Sequence, residues 1–205
     1  QKINAPVQVI WTREDDIRHG YYHAVAALHF KAGLNGKKKP QAWLQRSVFP
    51  SIGSTFNVEA NAGSSGELGL GFTDIPYSIA HLRCENGEAQ AHVRIGWFRS
   101  VCNIFHAFGV CSFADELAAA AKRDSFEYLL ELIGEPRRID LKAAGVEYSN
   151  YGEPLDRYPI DTGRLRKVIE LAAAKADWGC KLSERRGLGI AAHRSFLTYV
   201  ATVVE

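Results

Sequence analysis

Arg94-Ile95-Gly96-Trp97-Phe98-Arg99-Ser100-Val101, followed by the run Asn103 to Lys122, is the stretch that decides the reading of this chain. Ahead of it the residues are strand-like and broken by turns. Beyond it Ile104, Phe105, Phe108, Cys111 or Ser112, and Leu117 recur at helical spacing and an alanine-rich run follows, which predicts a long packed helix with one apolar face. A strand therefore delivers a short turn to a helix N-terminus. There the first backbone N–H groups lack intrahelical partners and the helix dipole adds partial positive charge, so an anion is favoured. Arg99 adds a planar cation. These residues alone describe a generic anion or phosphate site, and the competing reading is an exposed cap with Arg99 paired to a carboxylate.

Working outward toward the start, Val7, Val9 and Trp11 alternate with polar residues over Pro6 to Thr12, which predicts an opening strand, and Arg13-Glu14-Asp15-Asp16 reads as a charged turn. His23 to Lys31 and Gln41 to Phe49 flank Leu34-Asn35-Gly36. Asn-Gly tolerates positive φ at both positions, so this is a β-hairpin with a lengthened loop. Pro50 to Gly71 is a long Gly/Ser/Asn loop, and a second strand pair is expected at Ala80 to Glu85 and Ala89 to Phe98, around Glu85-Asn86-Gly87.

Toward the other end, Asp124 caps a second helix with Glu127 reaching back to it, and Gly134 and Pro136 stop it. Arg137 to Tyr158 is a connector. Asp161-Thr162 caps a third helix with Leu165, Val168, Ile169, Ala172 and Ala176 on one face, closed by Trp178-Gly179. Gly187 to Glu205 reads as strand, turn and strand. Strands first and helices later give an α+β fold, with strands and hairpins in the first half packed against a helical second half.

With 46% hydrophobic and 23% charged residues over 205 positions, the chain has the composition of a globular protein of one large or two small domains. Its net charge of +2 is scattered. Lys37, Lys38 and Lys39 beside the Asn-Gly turn read as a solvated tip, so no nucleic-acid partner is expected. No apolar run approaches the roughly 20 residues of a membrane span, and the start Gln1-Lys2-Ile3-Asn4 has no signal-peptide character. Cys84, Cys102, Cys111 and Cys180 read as buried thiols, and the pairs His81/Cys84 and His106/Cys111 as packing, so no metal ligand and no catalytic residue is assigned. Gly187-Leu188-Gly189-Ile190-Ala191-Ala192 leads into a strand and not a helix, the wrong context for dinucleotide binding. The absence of methionine and the strand-like Val203-Val204-Glu205 end lead us to expect a piece of a longer protein.

Four segments carry a family resemblance. Gly96-Trp97-Phe98-Arg99-Ser100 stands before a helix containing Ser112-Phe113-Ala114-Asp115-Glu116-Leu117-Ala118; the others are Pro6 to His19, Glu67 to Tyr77, and Arg186 to Phe196. In series they resemble the molybdopterin-binding large (beta) subunit of isoquinoline 1-oxidoreductase and its aldehyde dehydrogenase and aldehyde oxidase relatives, in the xanthine dehydrogenase or molybdenum hydroxylase superfamily. The resemblance implies the fold of a xanthine oxidase-like molybdopterin-binding domain. Residues 1–178 would be part of the first cofactor-binding domain (strand-rich 1–100, helical 101–178), and 179–205 a connector and the truncated first strands of the next. Trp97, Arg99, Ser100 and Val101 would contact the cofactor, with main-chain amides near Arg99 and Val101 facing its oxo ligands or phosphate, and Ser195 and Phe196 would approach the substrate pocket. The implied cofactor is molybdopterin, as the cytosine dinucleotide, with molybdenum.

The implied chemistry is hydroxylation of an N-heteroaromatic ring or oxidation of an aldehyde with water as oxygen source. Electrons would pass to a small [2Fe-2S] subunit, with a cytochrome c as a further candidate partner. The family's glycine-rich cofactor segment would lie upstream of Gln1 and its glutamate base downstream of Glu205. Glu67 matches a different segment and reads as a loop or cap residue. The chain by itself is therefore expected to be inactive and cofactor-free, to meet the remaining domains of its parent, and to self-associate through exposed edges near Gln1 and Val203. The parent would reside in the cytoplasm or be exported to the periplasm. The alternative is a stand-alone anion-binding or protein-interaction module, whose ends would be buried or polar.

Overall fold

Thr12 governs the start of the chain. In the computed structural model, which describes residues 3–205, its hydroxyl accepts from the Asp15 amide at 3.2 Å while the Asp15 carboxylate accepts from the Thr12 amide at 3.3 Å. This capping box opens α1 (Arg13–His19) where a turn was expected. The expected strand over Pro6–Thr12 does not form. Its alternating side chains have no neighbouring strand to face, and Val9 and Ile10 are 77% and 78% exposed. Gln1 and Lys2 lie outside the described residues.

β1 (Ala27–Leu34) and β2 (Pro40–Val48) form the expected antiparallel hairpin. Its loop is set by the Asn35 side chain, which accepts from the amides of Lys37 (2.9 Å) and Lys39 (3.1 Å), and the left-handed residue is Lys38 rather than Gly36. The Pro50 to Gly71 loop contains a short 3-10 turn (Ile52–Thr55) and the one-turn α2 (Ser65–Leu68). Glu67 ties them together, accepting from Ser51 Oγ (2.7 Å), the Ile52 amide (2.8 Å) and the Ser64 amide (3.0 Å), the cap role expected of it. β3 (His81–Gly87) adds to β2 in parallel, giving the order β1-β2-β3. The expected second hairpin is absent: Asn86 donates to the Gly63 carbonyl instead of making a turn, Glu88 bridges Ala62, and Ala89–Phe98 runs irregularly with Ile95 bridging Tyr22.

α3 (Asn103–Ala121) and α4 (Ser125–Ile133) follow, then the short pair β4 (Arg138–Ile139) and β5 (Ile160–Asp161), then α5 (Thr162–Lys175) and the hairpin β6 (Gly189–Ser195) and β7 (Thr198–Val204). The fold is α+β as read from the pattern. Asp124 caps α4 by accepting from the Glu127 amide at 3.0 Å; its other oxygen takes the Trp178 indole N–H at 2.9 Å, in place of the expected return bond from Glu127. Asp161 caps α5 through the amides of Gly163 and Arg164.

The core lies where α3, α4 and α5 close over Trp43 and Tyr77 through Val110, Leu117, Leu132, Ile133, Leu165 and Ile169, with Ile190, Ala192, Tyr199 and Ala201 of the last hairpin packed on it. The buried face of α3 runs through His106, Val110, Ala114 and Leu117, whereas Phe108, expected inside, is 73% exposed. Gly109 explains the rotation: Leu28 and Phe30 of β1 press against its bare Cα. Among the described residues α3 is also the one helix long and apolar enough to cross a membrane by length and composition; here it is the central helix of the core.

Candidate functional site

The turn before α3 is strained. The Val101 amide donates to the Phe98 carbonyl at 2.9 Å, and Ser100 and Val101 both take positive φ, 68° and 48°, the second an unusual state for a β-branched residue. His23 supports it from below, its Nε2 3.2 Å from the Val101 carbonyl oxygen and its ring edge-on to Phe98 and Phe105. The first helical amides turn back on their own chain, Asn103 N to the Ser100 carbonyl (3.0 Å) and Ile104 N to that of Val101 (3.3 Å). Among the described residues the amides of Arg99 and Ser100 meet no protein acceptor, and Arg99 takes part in none of the ion pairs. Trp97 and Phe98 are exposed, with Trp97 against Phe56.

Ser195 and Phe196 sit at the tip of the β6–β7 hairpin. Phe196 and Leu197 form its two-residue turn with φ of 46° and 66°, a conformation that Asn-Gly adopts readily and bulky residues do not. The Ser195 hydroxyl is buried with no hydrogen-bond partner among the described residues. The Phe196 ring lies on Tyr151, centroids 4.8 Å apart, and Asn150 and Tyr151 are themselves at positive φ.

Asn103, buried in the first turn of α3, joins these segments. Its Nδ2 donates to the Ser100 carbonyl (3.1 Å) and, at the limit of hydrogen-bond length, to Tyr151 Oη (3.5 Å), and its Oδ1 accepts from His193 Nε2 (2.6 Å). Ser100, with Val101 beside it, and Phe196, through Tyr151, thus meet at one junction, while Trp97 and Arg99 are exposed and make no hydrogen bond to Asn103. Asn103, Tyr151 and His193 escaped the sequence reading. A polar residue opening an otherwise apolar helix was the available signal for the first; nothing local marks Tyr151.

Beneath the junction lies a polar layer. Asp74 accepts from the Gly71 amide (2.7 Å) and Tyr148 Oη (3.2 Å), Tyr148 accepts from Arg194 Nη1 (2.9 Å), and Arg194 Nη2 reaches Asn150 Oδ1 (2.7 Å). Burial pushes the Asp74 carboxyl up to about 6 against the lowering pull of those donors. Burial likewise holds His106 and His193 down at about 4, so both rings are neutral at pH 7. His106 Nδ1 faces the Leu70 carbonyl at 3.0 Å and must carry the proton, leaving Nε2 to accept from Ser47 Oγ at 2.9 Å. Gly71, at φ +90°, is required here because a Cβ would come within 2.8 Å of the His193 ring. A cavity of about 20 Å³ between Asp74, Cys111, Thr162, His193 and Arg194 is large enough for one water.

No model of a known protein family matches the chain. Over 155 residues, 73% of its length, it is 28% identical to one of the subunits of nicotinate dehydrogenase from Pseudomonas putida, and it spans 13% of that relative. This match supports the molybdenum-hydroxylase superfamily. It does not single out isoquinoline oxidation. For a molybdenum-hydroxylase cofactor the turn offers a fitting donor set: the Arg99 and Ser100 amides are free for anionic oxygens, the Arg99 guanidinium is uncommitted, and the Trp97 and Phe98 rings lie exposed beside them. The Val101 amide is already used inside the turn. The orphaned Ser195 hydroxyl is a second polar atom without a protein partner, on the hairpin side of the junction.

Proposed function

We propose that the chain is part of the cofactor-binding subunit of a molybdenum hydroxylase that acts on an electron-poor carbon of an N-heteroaromatic substrate, with water as oxygen source. The observation that carries this reading is the meeting, at Asn103, of the turn read as cofactor-facing with the hairpin read as substrate-facing. The relative's name specifies nicotinate, an N-heteroaromatic acid, which favours a ring such as isoquinoline over an aldehyde. Residues 1–178 would then belong to the first cofactor-binding domain of the parent and 179–205 lead into the next, the β6–β7 hairpin packing back on α5 and α3. The remaining domains of the parent and a small [2Fe-2S] subunit, with a cytochrome c beyond it, would complete the enzyme, and the chain alone would be inactive.

Molybdopterin, read here as the cytosine dinucleotide, supplies the redox chemistry when bound. This chain's part is positional. The amides of Arg99 and Ser100 would receive anionic oxygens, Arg99 would add charge, and Trp97 would cover one side. Ser195 and Phe196 would border the substrate pocket, the exposed Phe196 presenting a ring face to the substrate. The competing reading, a stand-alone anion-binding module, has less support because the Asn103 and Ile104 amides are spent on Ser100 and Val101.

Metal and pterin analysis of two matched preparations tests the proposal: the full-length parent with its small subunit, and the 205-residue chain alone. Molybdenum and pterin in the parent and neither in the chain is the expected result. A parent matured with the cofactor machinery that contains neither would overturn it.

A further inference from the structure

Six non-glycine residues at positive φ fall into three segments that converge on one side chain: Ser100 and Val101 in the turn before α3, Asn150 and Tyr151 in the connector, and Phe196 and Leu197 in the last hairpin. For the bulky residues among them this backbone conformation is disfavoured and persists only where the surroundings over-determine it. At the convergence stands the Asn103 carboxamide, whose Nδ2 serves Ser100 and Tyr151 and whose Oδ1 serves His193. The geometry fixes both orientation and proton. A carbonyl only accepts, so Nδ2 must face Ser100; Oδ1 then faces His193, whose Nε2 must carry hydrogen. The His193 backbone continues through Arg194 to Ser195, and Tyr151 supports Phe196.

We propose that Asn103 is a positioning residue, a clasp that holds the cofactor-facing turn in register with the substrate-facing hairpin. This rests on the proposed function for what the two segments face, though not for the clasp itself. Only a group that donates and accepts in opposite directions can do this. Aspartate keeps the bond to His193 and loses both donations, setting a carboxylate oxygen against the Ser100 carbonyl; alanine loses all three bonds. A buried donor or acceptor left unsatisfied costs enough to raise local opening about ten-fold or more.

The experiment is segment-resolved hydrogen exchange on the full-length protein, followed by molybdenum content and kinetics of the same preparations. Asn103→Asp should speed exchange at least ten-fold at the Val101 amide of the turn and leave the hairpin amides of β6 and β7 protected. Asn103→Ala should loosen both together, with the β1–β2 hairpin unchanged in either variant. Where Asn103→Ala does not fold, the aspartate variant carries the test. Uniformly faster exchange, or an unchanged turn in Asn103→Asp, overturns the clasp. In the loaded enzyme Asn103→Asp should lower kcat about ten-fold or more with molybdenum content unchanged and KM within a few-fold. An unchanged kcat despite a loosened turn overturns the positioning role. Absence of molybdenum from the wild-type parent would instead refute the proposed function and leave the exchange result standing.

Discussion

Asp74, His106 and His193 lie within one buried layer and respond to acid in opposite senses. The Asp74 carboxyl is raised from 3.8 to about 6, so the folded state binds its proton more tightly than the unfolded chain; that stability is present below about 4 and lost as pH rises through 6. The two imidazoles are lowered from 6.5 to about 4, so their contribution is present above 6.5 and lost as pH falls through 4. Each shift corresponds to about 3 kcal/mol as an order of magnitude. With two histidines against one carboxyl, the protein should lose stability between about pH 7 and 4.5, with Asp74 offsetting part of the loss. Asp74→Asn removes the offset. Urea denaturation at those two pH values should therefore show a loss on acidification larger by about 2–3 kcal/mol in the variant. A smaller loss would mean that the folded protein keeps Asp74 ionised in acid, with its carboxyl held low by Tyr148, Arg194 and the Gly71 amide.

At the scale of elements, α3 shows what a pattern can and cannot tell. Its existence and limits were legible from the apolar spacing between Asn103 and Lys122, but its inward face was not, because a glycine carries no hydrophobic signal and Gly109 is what β1 packs against. The same holds elsewhere. The β1–β2 hairpin, the caps Asp124 and Asp161 and the β6–β7 pair follow from local chemistry, while the Pro6–Thr12 strand and the Ala89–Phe98 strand fail because pairing needs a partner that local alternation does not specify. Gly109 offers a direct check. Alanine is favoured over glycine inside a helix by about 1 kcal/mol, yet a Cβ at 109 would lie 2.5 Å from Leu28 Cδ1 and 2.9 Å from the Phe30 ring. Overpacking of this kind costs roughly 1–3 kcal/mol, so Gly109→Ala should lower stability despite the gain in propensity. An increase in the denaturation midpoint would show that β1 can withdraw from α3 at little cost.

For the whole molecule, half of the candidate site was legible and half was not. The turn at Trp97–Val101 and the hairpin tip at Ser195–Phe196 were picked out as short segments, whereas Asn103, Tyr151 and His193, which join them, become visible only when distant parts of the chain are brought together. The same three-dimensional view exposes surfaces that a self-contained module would cover. Val7, Val9, Ile10 and Trp11 lie exposed on an irregular segment that pairs with no strand, and Phe108 and Val200 both line an apolar trough between α3 and the β6–β7 hairpin. Exposed apolar surface favours association with another chain. The chain on its own should therefore self-associate, measurable as a concentration-dependent rise in sedimentation coefficient over the micromolar range. Phe108→Lys and Ile10→Lys change exposed side chains and should shift stability by no more than about 0.5 kcal/mol. The double variant should sediment as a monomer where the wild type does not. If the wild type is already monomeric at the highest concentrations, the exposed apolar surfaces are tolerated in water and the expectation of self-association is wrong.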